Sequence, residues 1–394
     1  MRVLILQAGF NELGVIKELH KMGHYVISIG NQVGLIGQKE VDEYYPVDYS
    51  KKEEVLAFVK EHKIDLVCAC CNDTAVLTTT YLAEQLQLSG YDTYKNAQLI
   101  AHKDLFKKFA IENQILTAPA EAFYKEEEAK KYILKGVSYP IIVKPTDMSG
   151  GKGVSRCDTD AEAMVAIEQA FAISREKDIV IEPFIEGTQH GFCTFLHNKK
   201  VVACSSNDEY SVVNPYRVEI DTFPAKGIEK YRDILIAQVE KMAEVLNLED
   251  GIFHIQYMEK DGCIYILEAM RRIIGNMYSG PASKSSEFDW DYWQARASIG
   301  INCVAVPERL EERGYYAYRA IIPPKNGIVK DVIVDEEVKK YIFDQIQLYE
   351  KGHVVTNYLT DTLGILFFQF GSEQEMKKIM LEYFDRIRVE MEVE

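Results

Sequence analysis

The sequence has no apolar stretch long enough to cross a bilayer, so no membrane partner is expected. Its opening, Met1-Arg2-Val3-Leu4-Ile5-Leu6, passes straight into a strand pattern rather than a cleavable signal, and the expectation is a cytoplasmic protein. Positive charge is scarce: 45 Lys and Arg face 61 Asp and Glu, a formal net charge of −16. Affinity for phosphate backbones rests on clustered Lys and Arg, so this balance excludes a nucleic-acid partner and leaves solubility as the plainer meaning of the charge. The eight cysteines, among them Cys68 and Cys70 in IDLVCACC and Cys263 in CIYILEA, favour apolar runs and read as buried free thiols rather than disulfides. Cys68 and Cys71 make a C-x-x-C spacing, yet a zinc site needs further ligands and no second Cys or His pair stands nearby.

Two nucleotide-loop signatures are missing as well. The first strand-to-helix turn reads Gln7-Ala8-Gly9-Phe10-Asn11-Glu12-Leu13-Gly14 in place of G-x-G-x-x-G, which leaves a tight turn with the helix N-terminus open to an anion. Further on, Lys152 is followed by Gly153 and Val154 where a Walker A loop has Ser or Thr. Internal repeats and low-complexity linkers are also absent.

What is present is a chain of 394 residues, 47% hydrophobic and 27% charged, longer than one core usually serves. Short buried strands alternate with amphipathic helices over the first ninety or so residues, a βαβαβ order that implies a parallel sheet. NAQLIAHKDLFKKFAIENQI reads as one helix. An α+β unit follows, in which the strand YPIIVKP leads into a glycine loop and the strand DIVIEPFI comes later. The expected domains are 1–92, 93–306 with a subdomain at about 117–184, and a small α+β region at 307–394.

The glycine loop, Ser149-Gly150-Gly151-Lys152-Gly153, offers flexible backbone N–H groups around one ammonium, which suits a phosphate; a plain hairpin turn uses the same residues. Lys144, at the end of the apolar strand, is costly to bury without an anion to meet. In HIQYMEKDGCIYILEAMRR a three-residue turn, Lys260-Asp261-Gly262, pairs Glu259 with Cys263. That register puts Phe253, Ile255, Tyr257, Cys263, Tyr265, Leu267 and Ala269 on one apolar face. His254, Gln256 and Glu268 share the other, with His254 opposite Glu268 and Gln256 on the diagonal. An acid so placed needs a partner: magnesium, or Arg271 or Arg272 as an ion pair.

In this order, Lys103 in AHKDLFKKF, Lys144 in VKP, SGGKGV, VIEPFIEGTQH and LEAMRRIIG resemble the motifs of the ATP-grasp superfamily, and the resemblance covers nearly the whole chain. It implies a pre-ATP-grasp domain like that of biotin carboxylase-like members, a two-part ATP-grasp domain with the glycine loop as its lid, and ATP and Mg²⁺ as cofactors. Lys103 and Lys144 would hold the α- and β-phosphates, while Lys152 and the amides of Ser149, Gly150, Gly151 and Gly153 would close over the β- and γ-phosphates. Glu182 and the backbone at Phe184 and Ile185 would meet adenine and ribose, and His190 falls where some members place a ribose or phosphate contact. Glu268 would bind the metal with Gln256, and Arg272 would stabilise a developing acyl phosphate. The chain departs from the family pattern at Gln256, where a glutamate is usual, and at Met270, where an asparagine is usual. The implied activity is a carboxylate–amine ligase acting on small molecules through an acyl phosphate, with a homodimer expected at the family level. A purine-pathway-like carboxylase, a formyl or glycine ligase, and an inactive nucleotide-binding homologue are the rival readings. Biotin carboxylase itself is disfavoured, because the stretch after Glu268 lacks R-L-Q-V-E-H.

Overall fold

The computed structural model describes residues 1–148 and 151–392. Ser149 and Gly150, two of the expected phosphate contacts, lie outside the described residues.

Arg2–Leu6 is the inner strand of a four-stranded parallel sheet, flanked by Tyr25–Ile29 and Leu66–Ala69, with Glu43–Tyr45 outermost. Val3, Leu4, Ile5 and Leu6 are all fully buried, as a run of apolar residues covered on both faces should be. The expected single helix before the glycine loop is two, Tyr94–Ala101 and Lys103–Glu112, because His102 adopts an extended conformation between them. The break makes Lys103 the first residue of the second helix, where its free N–H donates to the Thr146 carbonyl at 3.2 Å.

A second, antiparallel sheet runs Glu121–Phe123, Ile179–Pro183, Ile141–Pro145, Ser155–Cys157. Helices Glu126–Leu134 and Asp160–Ile173 cover it, burying Ile133 and Ile167 against Val143 and Ile179. Thr159 and Glu162 close a capping box at the start of Asp160–Ile173, which fixes where the chain turns after the glycine loop.

The largest sheet has eight strands, in the order Cys263–Met270, Gly251–Lys260, Thr188–His197, Lys200–Tyr210, Ile220–Phe223, Tyr315–Ile321, Gly364–Phe370, Ile342–Gln347. The last three come from the region beyond residue 307. Helix Arg232–Leu246 packs Leu235, Val239 and Met242 with Phe253 and Ile255, while Trp290, Trp293 and Phe288 pack with Phe195 and Ile252. A three-stranded sheet of Val354–Val355, Gly327–Val334 and Ile387–Met391 completes the chain's end.

The hairpin corrects the expected register. Its turn has two residues, Asp261 and Gly262, both with positive φ, so Lys260 pairs with Cys263. Asp-Gly favours this turn because its twist matches that of the flanking strands. A bulge then leaves Leu267 unpaired, Gln256 faces Glu268, and His254 faces Met270. Ile264 and Ile266 therefore join the core with Ile255, Tyr257 and Ala269, while Cys263 is exposed. All eight cysteines are free. No described helix is long and apolar enough to cross a membrane.

Candidate nucleotide site

Three lysines converge where the second sheet meets helix Lys103–Glu112. Lys144 lies at the end of strand Ile141–Pro145, and its ammonium donates to Glu182 Oε1 from the neighbouring strand Ile179–Pro183. Lys107 reaches the other oxygen of Glu182 at 3.2 Å and donates to Thr117 Oγ1 at 2.9 Å. It is only 2% exposed. Burial alone would raise the Glu182 carboxyl; the charges of Lys144 and Lys107 and their hydrogen bonds outweigh it and bring the group to about 2. The same burial pushes the Lys107 ammonium down despite Glu182.

Lys103, one helical turn before Lys107, donates to the Met148 carbonyl at 2.7 Å and lies 3.4 Å from Glu268 Oε2. It thus spans the gap between the start of the glycine loop and the hairpin. Gly151 has φ of +74°, and a Cβ there would fall 2.2 Å from the Tyr216 carbonyl oxygen, so the loop's backbone lies directly against segment 211–219. The Arg156 N–H donates to the Tyr216 hydroxyl at 2.8 Å, which ties the strand after the loop to the same segment. Lys152 is exposed.

After Glu182 the chain turns at Phe184, whose N–H donates to the Pro140 carbonyl at 3.0 Å and whose ring lies 4.5 Å from the Arg156 guanidinium. Ile185 is half-buried beside it. His190 is placed apart from these residues. Both its ring nitrogens are engaged, by Asp208 at 2.8 Å and Thr188 at 2.6 Å, and its ring stacks on Tyr257. Strand alternation puts His190 and Tyr257 on the opposite face of the large sheet from Gly191 and Gln256.

At the hairpin, Gln256 and Glu268 are cross-strand partners. The Gln256 amide N–H groups donate to Glu209 at 2.9 and 3.0 Å, which leaves Oε1 uncommitted among the described residues. One carboxylate and one amide oxygen fit a magnesium ion that draws its remaining ligands from water and phosphate. Arg272 is anchored elsewhere: its Nε donates to Asp73 Oδ1 at 2.5 Å, across to the N-terminal parallel sheet unit. Burial lowers the Arg272 guanidinium and the Asp73 charge more than reverses this, so the pair stays ionised. Arg271 is a structural tie, bound to Asp92 and to the carbonyls of Glu249 and Ile252.

Lys107 and Lys103 thus link the strand lysine and its glutamate to the residue before the glycine loop and to the carboxylate hairpin. Residues 101–216 match the ATP-grasp (A) domain of phosphoribosylglycinamide synthetase. Over that stretch the chain resembles an ATP-grasp domain. Among curated proteins, the C-terminal section of the carbamoyl phosphate synthase large chain of Methanocaldococcus jannaschii is 24% identical over 292 residues. The match takes in 68% of this chain but 44% of that protein, so the chain spans less than half of its relative's length. The solved L-amino acid ligase from Bacillus licheniformis superposes with a TM-score of 0.83 at 19% identity, over 100% of this chain and 99% of the other. The biotin carboxylase domain dimer of the Hydrogenobacter thermophilus 2-oxoglutarate carboxylase, solved with MgADP, ADP and bicarbonate, gives 0.78 at 18% identity, over 99% and 90%. At these identities the likeness concerns the fold.

The same region holds residues that no sequence motif marks. Lys107 lies at i+4 from Lys103 and so shares its helix face, a spacing that could have revealed it beside the apolar Phe106 and Ala110. Glu209, Asp221 and Asn207 line the sheet face next to Gln256, on strands that carry no motif. His254 is buried there too, its Nδ1 without a partner, and burial followed by the Arg272 charge lowers it to about 3.

Proposed function

We propose that the protein is an ATP-dependent carboxylate–amine ligase. A carboxylate oxygen attacks the γ-phosphorus of ATP, ADP leaves, and an amine then displaces phosphate from the acyl phosphate to form an amide. The observation that carries this reading is the line of cations Lys144, Lys107 and Lys103, which ends 3.4 Å from Glu268, with Lys103 donating to the Met148 carbonyl just before the glycine loop. Phosphoryl transfer asks little covalent chemistry of a protein; it asks for position and charge.

Each residue then has a definite task. Lys144 and Lys103 exchange their present acceptors, Glu182 and the Met148 carbonyl, for α- and β-phosphate oxygens. Glu182 keeps Lys107 ionised and the floor of the cleft fixed. Lys152 and the loop amides approach the β- and γ-phosphates when the loop closes, and the hinge backbone at Phe184 and Ile185 meets adenine. Glu268 and the Gln256 amide oxygen would hold Mg²⁺, which supplies charge neutralisation at the transferring phosphate. Arg272, held by Asp73, faces the developing acyl phosphate. The working unit divides at 1–92, 93–306 and 307–394, acts in the cytoplasm, and pairs as a homodimer.

A nucleotide-binding protein without turnover is the second reading, favoured by Gln256 and Met270 at positions where charge and amide would be expected. ADP release measured against panels of carboxylates and amines separates the two. Release that requires both substrates supports the ligase, and nucleotide binding without turnover under any pair supports the rival. Glu268→Gln should abolish turnover while the circular dichroism spectrum stays that of the wild type; retained activity would refute the metal assignment.

A further inference from the structure

The face of the large sheet beside Gln256 holds two acids that the phosphoryl chemistry does not use. Glu209 and Asp221 are direct cross-strand partners, 8% and 2% exposed. Facing carboxylates repel, and withdrawal from water makes the repulsion worse. Glu209 is held only by neutral donors, Gln189 at 2.7 Å and Gln256. Among the described residues neither acid has a Lys or Arg partner.

Asp221 Oδ1 is buried with no hydrogen-bond donor. Asn207, fully buried two residues before Glu209 on the same face, turns its Nδ2 donor to the two acids. Its Oδ1 accepts from the Tyr278 hydroxyl at 3.1 Å, so its amino end is turned away from Tyr278 and toward the acids. Opposite Asn207 stands Gly191, where a Cβ would meet Asn207 Oδ1 at 2.4 Å and His254 Cε1 at 2.9 Å. The result is a patch of bare backbone with two acids at its edge and one bare Asp221 oxygen, one side chain away from Glu268 by way of Gln256.

We infer that Glu209 and Asp221 hold the protonated amino group of the amine substrate, which makes the acceptor a primary amine of the amino-acid class rather than a thiol. This rests on the ligase reading. The three N–H donors of an ammonium suit the bare Asp221 oxygen and the remaining lone pairs of Glu209, and no described cluster of three or more His, Cys, Asp or Glu has metal-binding placement. In the reaction the ammonium gives one proton to the acid pair, and its nitrogen lone pair forms the C–N bond. The C–O bond to phosphate breaks, and the second proton leaves with the phosphate.

Calorimetric binding with glycine, L-alanine, L-lysine and putrescine, against glycolate and L-lactate, tests the inference in the presence of Mg²⁺ and ADP. At least one amine should bind while the hydroxy acids do not, and Glu209→Gln and Asp221→Asn should each weaken it about tenfold or more with ADP affinity unchanged, as befits losing a hydrogen bond to a charged group. Binding by no amine of the panel, equal binding by the hydroxy counterparts, or a loss of Mg²⁺ and ADP affinity in place of amine affinity would each overturn it. ATP turnover is read separately. Amine binding without turnover in the wild type sinks the ligase and keeps the amine site; turnover unchanged in both variants sinks the amine site and keeps the ligase.

Discussion

Glu182→Gln keeps the size of the side chain and removes the charge that two buried lysines share. The Glu182 carboxyl stands at about 2 against an ordinary 4.5, which amounts to about 3 kcal/mol of folded-state stabilisation of the ionised form. The variant also leaves Lys107 and Lys144 buried without their acceptor, and one-sided removal of a buried partner costs about 3–5 kcal/mol. Because the folded-state value lies below the unfolded one, the stabilisation is complete above about 4.5 and is lost as pH falls toward 2. Amide hydrogen exchange in strands Ile141–Pro145 and Ile179–Pro183 reports the opening of this sheet alone. At pH 7 the variant should exchange about a hundredfold faster than the wild type, and the gap should narrow between pH 5 and pH 3. Added ADP with Mg²⁺ should recover part of the loss, since phosphates give the lysines an anion. Exchange within about threefold of the wild type at pH 7, or a gap that stays constant down to pH 3, would refute the reasoning.

Gly151→Ala sets a Cβ against the Tyr216 carbonyl in a left-handed conformation and should weaken nucleotide binding by about tenfold in a fluorescence titration while leaving the thermal midpoint nearly unchanged. His254, lowered to about 3 by burial, should show no imidazole titration between pH 5 and 8 in nitrogen-15 NMR; a midpoint above about 5 would contradict its enclosure. The unfolded chain protonates this group near 6.5, so its part of the stability is present above that value and declines as pH falls toward 3. Arg272→Ala leaves Asp73 without its guanidinium and should destabilise the protein by about 3 kcal/mol in urea unfolding, a loss that Asp73→Asn combined with it should partly relieve.

The parallel sheet, the strand lysine and the carboxylate hairpin were legible because each is written in local pattern: buried runs closed by glycine, a lysine ending an apolar strand, acid and amide alternating with core residues. What escaped was decided by distant chain or fine geometry. Lys107 looks like any helix-surface lysine until Glu182 arrives from another strand. Arg272 finds Asp73 in a different unit, a pairing no spacing announces. The hairpin register turned on whether Lys260 belongs to the turn, and the bulge at Leu267 moved Gln256 from the diagonal to a place directly opposite Glu268. Glu209 and Asp221 became neighbours only through sheet pairing. His190, singled out by its place after the hinge, points to the other face because a strand reverses its side chains at every residue.

The order of strands in the large sheet has a consequence for synthesis. Ile220–Phe223 has Tyr315–Ile321 as its outer neighbour, and that strand in turn pairs with Gly364–Phe370. While the chain is still emerging, Asp221 and Phe223 therefore lie on an open edge for nearly a hundred residues, and the next edge waits another forty or so. A chain halted at residue 306 would keep the converging lysines and the carboxylate hairpin yet present that edge to other copies, where unpaired strands associate. The final segment thus acts as the cap that makes the preceding sheet soluble, and truncations meant to isolate the nucleotide cleft should stop beyond Phe370.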